Sequence, residues 1–412
     1  MKITDIKFIH FRGKATWQSD PCGHGHPGPL RDAPMSILVV ETDEGLCGYD
    51  IPTMYQEPYD GIEIPKWDGT PWNLSAPIKA PGPNAGLERM KSVLIGEDPF
   101  SRERIWNKMY KLCRMGGTVG TRLMSQVDNA LWDLFGKYCN LPLYKLLGGQ
   151  REKVAAYGST MCGDHWEGGL NTPQAYADFA KKLVAHGYPA IKLHTLMDED
   201  WGHNNWVGKP SVDYDIECCE AVRDAVGPDI GLMIDCFHHY DKHDALKLGK
   251  AIEKLNFEWF EEPMDEYNVD AYKWLSDNLE IPVLGPETAD GKFYTRAHWL
   301  KHDVSDLNRC GSGDVGGITP AIKIVHMCEC FNMPCEIHGG GPTALGILGA
   351  MTIPGKYLER GLLHPFMDYE KTAPWLNSMI DPMDEHGMVS VPKLPGLGVD
   401  ANWDYINDNL LK

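Results

Sequence analysis

Three short apolar segments in the middle of the chain each end in a carboxylate, at Asp235, Glu261 and Glu287. The second acid lies 26 positions after the first, and the third lies 26 positions after the second. This interval suits a strand, a helix and two loops. Each segment is predicted to be a buried parallel strand with an acid at its C-terminal end. The chain is therefore expected to contain repeating strand–helix units.

Such units close into a (β/α)₈ TIM-type barrel, in which the C-terminal ends of all strands face one mouth. The three acids would converge at this mouth and would repel one another unless a cation joined them. Oxygen ligands without cysteine or imidazole favour Mg²⁺. The alternative is three unrelated acids that cap helices or pair with arginines, and the equal spacing favours the shared metal site.

Composition limits the class of protein and its partners. The 412 residues suffice for a barrel of about 250 residues and a second domain. A formal net charge of −19 without a basic stripe argues against a nucleic-acid partner. The 12 cysteines lack the paired spacing of a zinc site and are predicted to be reduced thiols. No signal-peptide pattern or long apolar window is found, so we expect a cytoplasmic location and no membrane partner.

The chain divides into three predicted parts. Residues 1–124 are predicted to form an α+β capping domain, residues 125–371 the barrel, and residues 372–412 a C-terminal segment that returns to the capping domain. A loop rich in Gly, Pro and His, from Cys22 to Pro29, is expected to be irregular and to close over the site. His24 and His26 in this loop are candidates for substrate contact, with solvated imidazoles as the alternative.

Further polar residues are predicted at the barrel mouth. Lys192 and His194 lie on one face of the second barrel strand, because side chains of a strand alternate. His338 ends the seventh strand, and Glu359 lies on the eighth. His238, just beyond the third strand, is another candidate for substrate binding.

Three further motifs are present in the chain. They are the helix Val127-Asp-Asn-Ala-Leu-Trp-Asp-Leu-Phe-Gly-Lys with the following Pro142-Leu-Tyr-Lys-Leu-Leu-Gly-Gly, the segment Phe260-Glu-Glu-Pro, and the segment Pro392-Lys-Leu-Pro-Gly-Leu-Gly-Val-Asp near the C-terminus. Together they resemble the mandelate racemase branch of the enolase superfamily. The resemblance implies a capping α+β domain on a modified (β/α)₇β barrel. It also implies one Mg²⁺ per active site, bound to Asp235, Glu261 and Glu287.

The chemistry of that family is removal of the proton α to a carboxylate, giving an enediolate. Its second strand often ends in Lys-x-Lys, and here Lys192-Leu-His194 stands in that place. The resemblance implies that His194 is a base, and that Lys192 lowers its pKa and helps to bind the substrate carboxylate. Glu359 matches a glutamate that, when protonated, donates to the enediolate oxygen. A structural ion pair of Glu359 with Arg360 or another residue is the alternative.

His338 matches the histidine of the seventh strand, which in the family is oriented by an aspartate of the sixth strand. At the corresponding position this chain has Gly311, with Asp306 and Asp314 on either side. A locally different loop could bring one of the two within reach. Without such a partner, His338 is expected to be an acid rather than a strong base.

Two histidines of unequal basicity suit the dehydration of an aldonic or aldaric sugar acid to a 2-keto-3-deoxy acid. A cycloisomerase acting on a sugar-acid lactone or anhydro-sugar acid would use the same groups. A racemase or epimerase needs two competent bases. From a different class, the chain could be a non-catalytic sugar-acid binding protein, although the complete set of candidate groups favours an enzyme. A homo-oligomer is expected.

Overall fold

The structure is a computed structural model that describes residues 1–19, 25–65, 79–82, 84–116, 119–195, 211–353 and 355–412. Its strands are β1 Ile3–Ser19, β2 Gly25–Thr42, β3 Cys47–Asp50, β4 Glu57–Pro58, β5 Lys153–Thr160, β6 Ala190–Leu193, β7 Gly231–Asp235, β8 Trp259–Glu261, β9 Val283–Leu284, β10 Asn308–Cys310, β11 Cys335–Ile337, β12 Tyr357–Leu363, β13 Met367–Asp368 and β14 Met388–Ser390. Its helices are α1 Ala85–Leu94, α2 Arg102–Gly116, α3 Thr121–Cys139, α4 Leu143–Leu146, α5 Pro173–His186, α6 Ser211–Val226, α7 Lys242–Lys254, α8 Val269–Ser276, α9 Phe293–His302, α10 Ser312–Val315, α11 Ile318–Phe331, α12 Gly341–Leu348 and α13 Trp403–Asp408.

A three-stranded antiparallel sheet, β1-β2-β3, forms the base of the N-terminal region. The prediction of an irregular loop from Cys22 to Pro29 is wrong for Gly25–Pro29, which belongs to β2. Pairing with β1 continues as far as Ser19 and Gly25, and the Gln18 side-chain amide donates to the Pro27 carbonyl at 2.6 Å. These hydrogen bonds between the two strands override the loop-like composition.

Helix α3 packs on this sheet. Val127 and Leu131 of α3 share an apolar core with Ile6 and Val40 of the sheet. The predicted boundary at residue 124 falls inside α3, and the division of the chain into domains stays a prediction.

The barrel alternates strands and helices as predicted. Strands β12-β5-β6-β7-β8-β9 are parallel neighbours in that order, a parallel bridge from Leu284 to Leu307 leads on to β10, and β10 pairs in parallel with β11. Strands β5 to β12 are thus barrel strands one to eight, with a helix in each interval. The fold class, a (β/α)₇β barrel with an N-terminal cap, is confirmed.

The two-residue period of the strands places charged groups above an apolar layer. Tyr157, Ala190, Met233, Trp259 and Tyr357 pack together inside the barrel. Two positions further along four of these strands are polar or charged groups, namely Lys192, Asp235, Glu261 and Glu359. The strands therefore deliver these four side chains to one level at the barrel mouth.

The C-terminal segment contacts both other parts of the chain. Trp375 and Ile406 pack with Phe11 and Val39 of the N-terminal sheet, whereas β14 pairs antiparallel with β5 of the barrel. Among the described helices, none is both long and apolar enough to cross a membrane.

Candidate active site

The structure brings the three predicted metal ligands together around two buried cations. The Lys192 ammonium lies 3.2 Å from Asp235 Oδ2 and 3.2 Å from Glu261 Oε1. The Arg309 Nε atom lies 2.6 Å from Glu261 Oε1 and 2.7 Å from Glu287 Oε2. All five side chains are buried. Glu261 therefore lies between the other two acids and shares a cation with each.

Burial and mutual repulsion change the acidity of these groups. Burial alone would raise the pKa of Asp235, but the charge of Lys192 and the contact with His194 bring it below its usual range. Burial raises the pKa of Glu261 to about 7, with Arg309 and Lys192 opposing the rise. The acids are thus held close only because cations offset their repulsion. A set of carboxylate oxygens that needs positive charge fits a hard divalent cation.

His194 directs one ring nitrogen towards this cluster. Its Nδ1 lies 2.6 Å from the Thr160 carbonyl oxygen, which can only accept, so Nδ1 carries a proton. Its Nε2 lies 3.1 Å from Asp235 Oδ2, and its ring contacts Phe237 with centroids 4.9 Å apart. The main chain of barrel strand one therefore fixes the tautomer of His194.

His338 has an orienting carboxylate, Asp314, which is one of the two candidates that the sequence left open. Its Nδ1 lies 2.7 Å from Asp314 Oδ2, and its Nε2 lies 3.2 Å from Glu287 Oε1. Burial would lower the pKa of His338, but the charges of Asp314 and Glu287 outweigh it and raise that pKa to about 10. The imidazolium form is therefore stabilised by carboxylates on both of its nitrogens.

Gly311 makes room for this contact. A Cβ atom at Gly311 would lie 2.5 Å from Asp314 Oδ2 and 2.8 Å from the His338 carbonyl oxygen. Asp314 lies on α10, the short helix that begins directly after Gly311. Asp306 has a different role, because its Oδ2 accepts the main-chain N–H of Val283 at 2.9 Å. The chain thus supplies the carboxylate from one helical turn beyond the position given by the family register.

Glu359 is held as a carboxylate. Its Oε1 lies 3.1 Å from the Lys192 ammonium, and its Oε2 lies 3.0 Å from Arg309 Nη2. Despite burial, these two cations keep the pKa of Glu359 well below its usual range. This environment opposes the protonated form expected from the sequence. Arg360 is not the partner, because it pairs with Glu370 at 3.0 Å.

Comparison with known families identifies the family of the chain. Residues 24–148 match the family described as mandelate racemase / muconate lactonizing enzyme, N-terminal domain. Residues 175–405, more than half of the chain, match the family described as enolase C-terminal domain-like. The chain belongs to the mandelate racemase and muconate lactonizing enzyme family of the enolase superfamily.

Several relatives within the mandelate racemase family act on sugar acids. Arabinonate dehydratase from Saccharolobus solfataricus is 30% identical, with 90% of this chain and 89% of the relative covered. D-galactarolactone cycloisomerase from Agrobacterium fabrum is 30% identical, with 79% and 84% covered. The structure of D-glucarate dehydratase from Agrobacterium tumefaciens complexed with magnesium is 44% identical, covers 100% of both chains and has a TM-score of 0.87.

The three candidates for substrate binding differ in position within this mandelate racemase fold. His238 Nε2 lies at the mouth, 2.7 Å from Glu262 Oε1. With Glu266, these two residues form a group whose possible ligand atoms lie within 4.8 Å of one another. His26 is buried, with its ring edge against Trp166 at 6.2 Å between centroids. His24 lies outside the described residues. Their roles in substrate binding stay predictions.

Arg309 is the residue of this cluster that the sequence reasoning missed. It lies in the middle of the three-residue strand β10 and is fully buried. A signal was present, because an arginine inside a buried parallel strand requires acidic partners. Those partners are distant in sequence, so only the folded barrel identifies them.

Proposed function

We propose that this protein is a magnesium-dependent hydro-lyase that dehydrates a sugar acid to a 2-keto-3-deoxy acid. One observation carries the proposal: two imidazoles flank the carboxylate cluster, with His194 against Asp235 and His338 against Glu287. In each imidazole, Nδ1 contacts an acceptor outside the cluster. Nε2 contacts a carboxylate of the cluster. Such a pair suits removal of an α-proton on one side and protonation of a leaving group on the other.

Asp235, Glu261 and Glu287 would hold one Mg²⁺. Together with Glu359 they provide four carboxylates. Two buried cations, Lys192 and Arg309, form ion pairs with these carboxylates. Two negative charges remain, as a single divalent ion requires. When bound, the ion supplies the positive charge that stabilises the negative charge developing on the substrate carboxylate.

His194 is the proposed base. Since its Nδ1–H donates to the Thr160 carbonyl, the neutral ring presents its lone pair at Nε2. That atom takes the proton from the carbon next to the substrate carboxylate. Lys192, which bridges three acids beneath this position, provides a fixed positive charge near the same carboxylate.

His338 is the proposed acid. Asp314 holds the Nδ1–H, so the proton on Nε2 is the one available to the β-hydroxyl. As the Cβ–O bond breaks, this proton leaves with the hydroxyl as water. The resulting enol tautomerises to the 2-keto acid. Loss of such an acid typically costs about 10²- to 10⁴-fold in rate.

Cycloisomerisation is the second candidate, and the similarity to D-galactarolactone cycloisomerase supports it. The same base would remove the α-proton, and a ring oxygen would leave in place of hydroxide.

The contact of Asp314 with His338 also removes the reason to disfavour racemisation, because it supplies the partner that a second base requires. The relatives that act by dehydration favour elimination as the first choice.

The experiment is a screen of aldonates, aldarates and their lactones with Mg²⁺, with detection of 2-keto-3-deoxy products. D-glucarate is the first substrate to test, given the full-length similarity to D-glucarate dehydratase. Release of a 2-keto-3-deoxy acid from an open-chain acid would support dehydration, and reaction of lactones alone would favour the cycloisomerase. Failure of every acid would indicate a binding protein. A cytoplasmic location and a homo-oligomer remain predictions.

A further inference from the structure

We infer that Arg309 is an internal counter-ion of the proposed metal site and lowers the affinity of that site for a divalent cation. Its Nε is shared between Glu261 at 2.6 Å and Glu287 at 2.7 Å, and its Nη2 lies 3.0 Å from Glu359. The guanidinium thus contacts two of the three proposed ligands and the neighbouring acid. It is a positioning residue, since it acts through these carboxylates rather than on a substrate.

The location of Arg309 shows that its charge is permanent. The side chain of Arg309 has 0% exposure. Its Nη2 lies 3.4 Å from the hydroxyl of Tyr157, which is also buried inside the barrel. A buried guanidinium does not lose its proton, and an unpaired one would be strongly destabilising. If Arg309 were absent, Glu261 and Glu359 would share the single charge of Lys192, and Glu287 would retain only its contact with His338. Arg309 therefore stabilises the carboxylates before any metal binds.

The charge count gives a quantitative expectation. When all four carboxylates are ionised, the charges of Lys192 and Arg309 leave two negative charges uncompensated. Substituting Arg309 by glutamine leaves three, substituting Glu359 by glutamine leaves one, and combining both substitutions restores two. Metal affinity is expected to follow this count, because one unit charge several ångströms from a divalent ion changes the affinity by at least about tenfold, even when the interaction is screened as strongly as in water.

The inference rests on the proposed metal site, and it is tested by metal binding rather than by turnover. Dissociation constants for Mg²⁺ are measured by titration calorimetry on EDTA-stripped, dialysed protein, together with the melting temperature without metal. Arg309→Gln is expected to melt at lower temperature without metal and to bind Mg²⁺ at least about tenfold more tightly. Glu359→Gln is expected to bind it more weakly by a similar factor, and the double variant to be close to wild type.

Two further variants separate charge from structure. Arg309→Lys retains the charge without the forked contacts, so its Mg²⁺ affinity is expected to remain close to wild type even if it melts at lower temperature. Arg360→Gln is the matched control, because Arg360 is equally buried but pairs with Glu370 away from the cluster. It is expected to lower the melting temperature and leave Mg²⁺ affinity unchanged.

The outcomes are decisive for each proposal separately. If wild type binds no divalent cation, the proposed function fails. If wild type binds Mg²⁺ but Arg309→Gln binds it with the same or lower affinity, the counter-ion role is overturned. If Arg309→Gln does not fold, the balanced double variant is compared with Glu359→Gln. Tighter binding by the double variant supports the inference, and equal or weaker binding rejects it.

Discussion

Asp314 Oδ2 lies 2.7 Å from His338 Nδ1, over a glycine whose missing side chain leaves the space for it. This contact provides a carboxylate–histidine pair, although Gly311 stands at the position where the family has its aspartate. Histidine orientation depends on the group that binds the second ring nitrogen, whatever its place in the sequence. The pair therefore connects α10 with the end of barrel strand seven.

Asp314→Asn is predicted to lower kcat by about 10²-fold or more, within the range for a disabled acid–base group. The amide lacks the charge that raises the pKa of His338. The alkaline limb of the kcat profile should therefore move to lower pH. Measurement of kcat and KM from pH 6 to 10 tests both effects, and an unchanged profile would show that Asp314 does not act through His338.

Gly311→Ala is predicted to reduce kcat by displacing Asp314 and the His338 main chain, which a new Cβ would approach within 3 Å. Gly313→Ala is the control, because no atom lies within 4 Å of a Cβ at this position of α10. Equal activity of the two variants would contradict a packing requirement at Gly311. Melting temperatures of both variants distinguish local displacement from loss of the fold.

The stability of the metal-free protein is predicted to fall in alkaline solution. The pKa of His338 is raised from an ordinary 6.5 to about 10, so its proton is bound more tightly in the folded protein. The resulting stabilisation is fully present below pH 6.5 and is lost as pH rises through about 10. Thermal unfolding in EDTA across this window should show the loss, and a smaller loss in His338→Asn. Equal slopes for both proteins would contradict the assignment.

The sequence alone was sufficient for the barrel and for the convergence of its acids, because both follow from a local pattern repeated every 26 residues. Gly25–Pro29 is a strand because it pairs with β1 across a hairpin. The composition of the segment does not indicate this pairing. The partner of His338 depends on where the short helix α10 begins. The role of Arg309 depends on Glu261, Glu287 and Glu359, which share no local pattern with it.

The proposed metal ligands give a direct prediction. Asp235→Asn, Glu261→Gln and Glu287→Gln are each expected to abolish turnover, because each removes a charged oxygen donor from the site. EDTA is expected to inactivate the wild type, and Mg²⁺ to restore it. Circular dichroism of each variant shows whether the fold persists. Full activity in stripped protein would refute the metal assignment.

The two histidines are predicted to act on different bonds. In D₂O, with a substrate from the screen, His194→Asn should neither exchange the α-proton nor eliminate the β-hydroxyl, because Nε2 of His194 is the proposed base. His338→Asn should still exchange the α-proton for deuterium, because the base and the carboxylate cluster remain. Its elimination rate should fall by about 10²- to 10⁴-fold. Proton NMR follows exchange, and detection of the 2-keto acid follows elimination.

The reverse result would exchange the two roles. If exchange survives in His194→Asn and vanishes in His338→Asn, the pair of His338 with Asp314 is the base, as the orienting carboxylate allows. Asp314→Asn should then lose exchange as well, whereas under the first assignment it should keep exchange and lose mainly elimination. Because Asp314 contacts His338 on the nitrogen remote from the cluster, its variant tests the role of His338 while leaving the Nε2 atom in place.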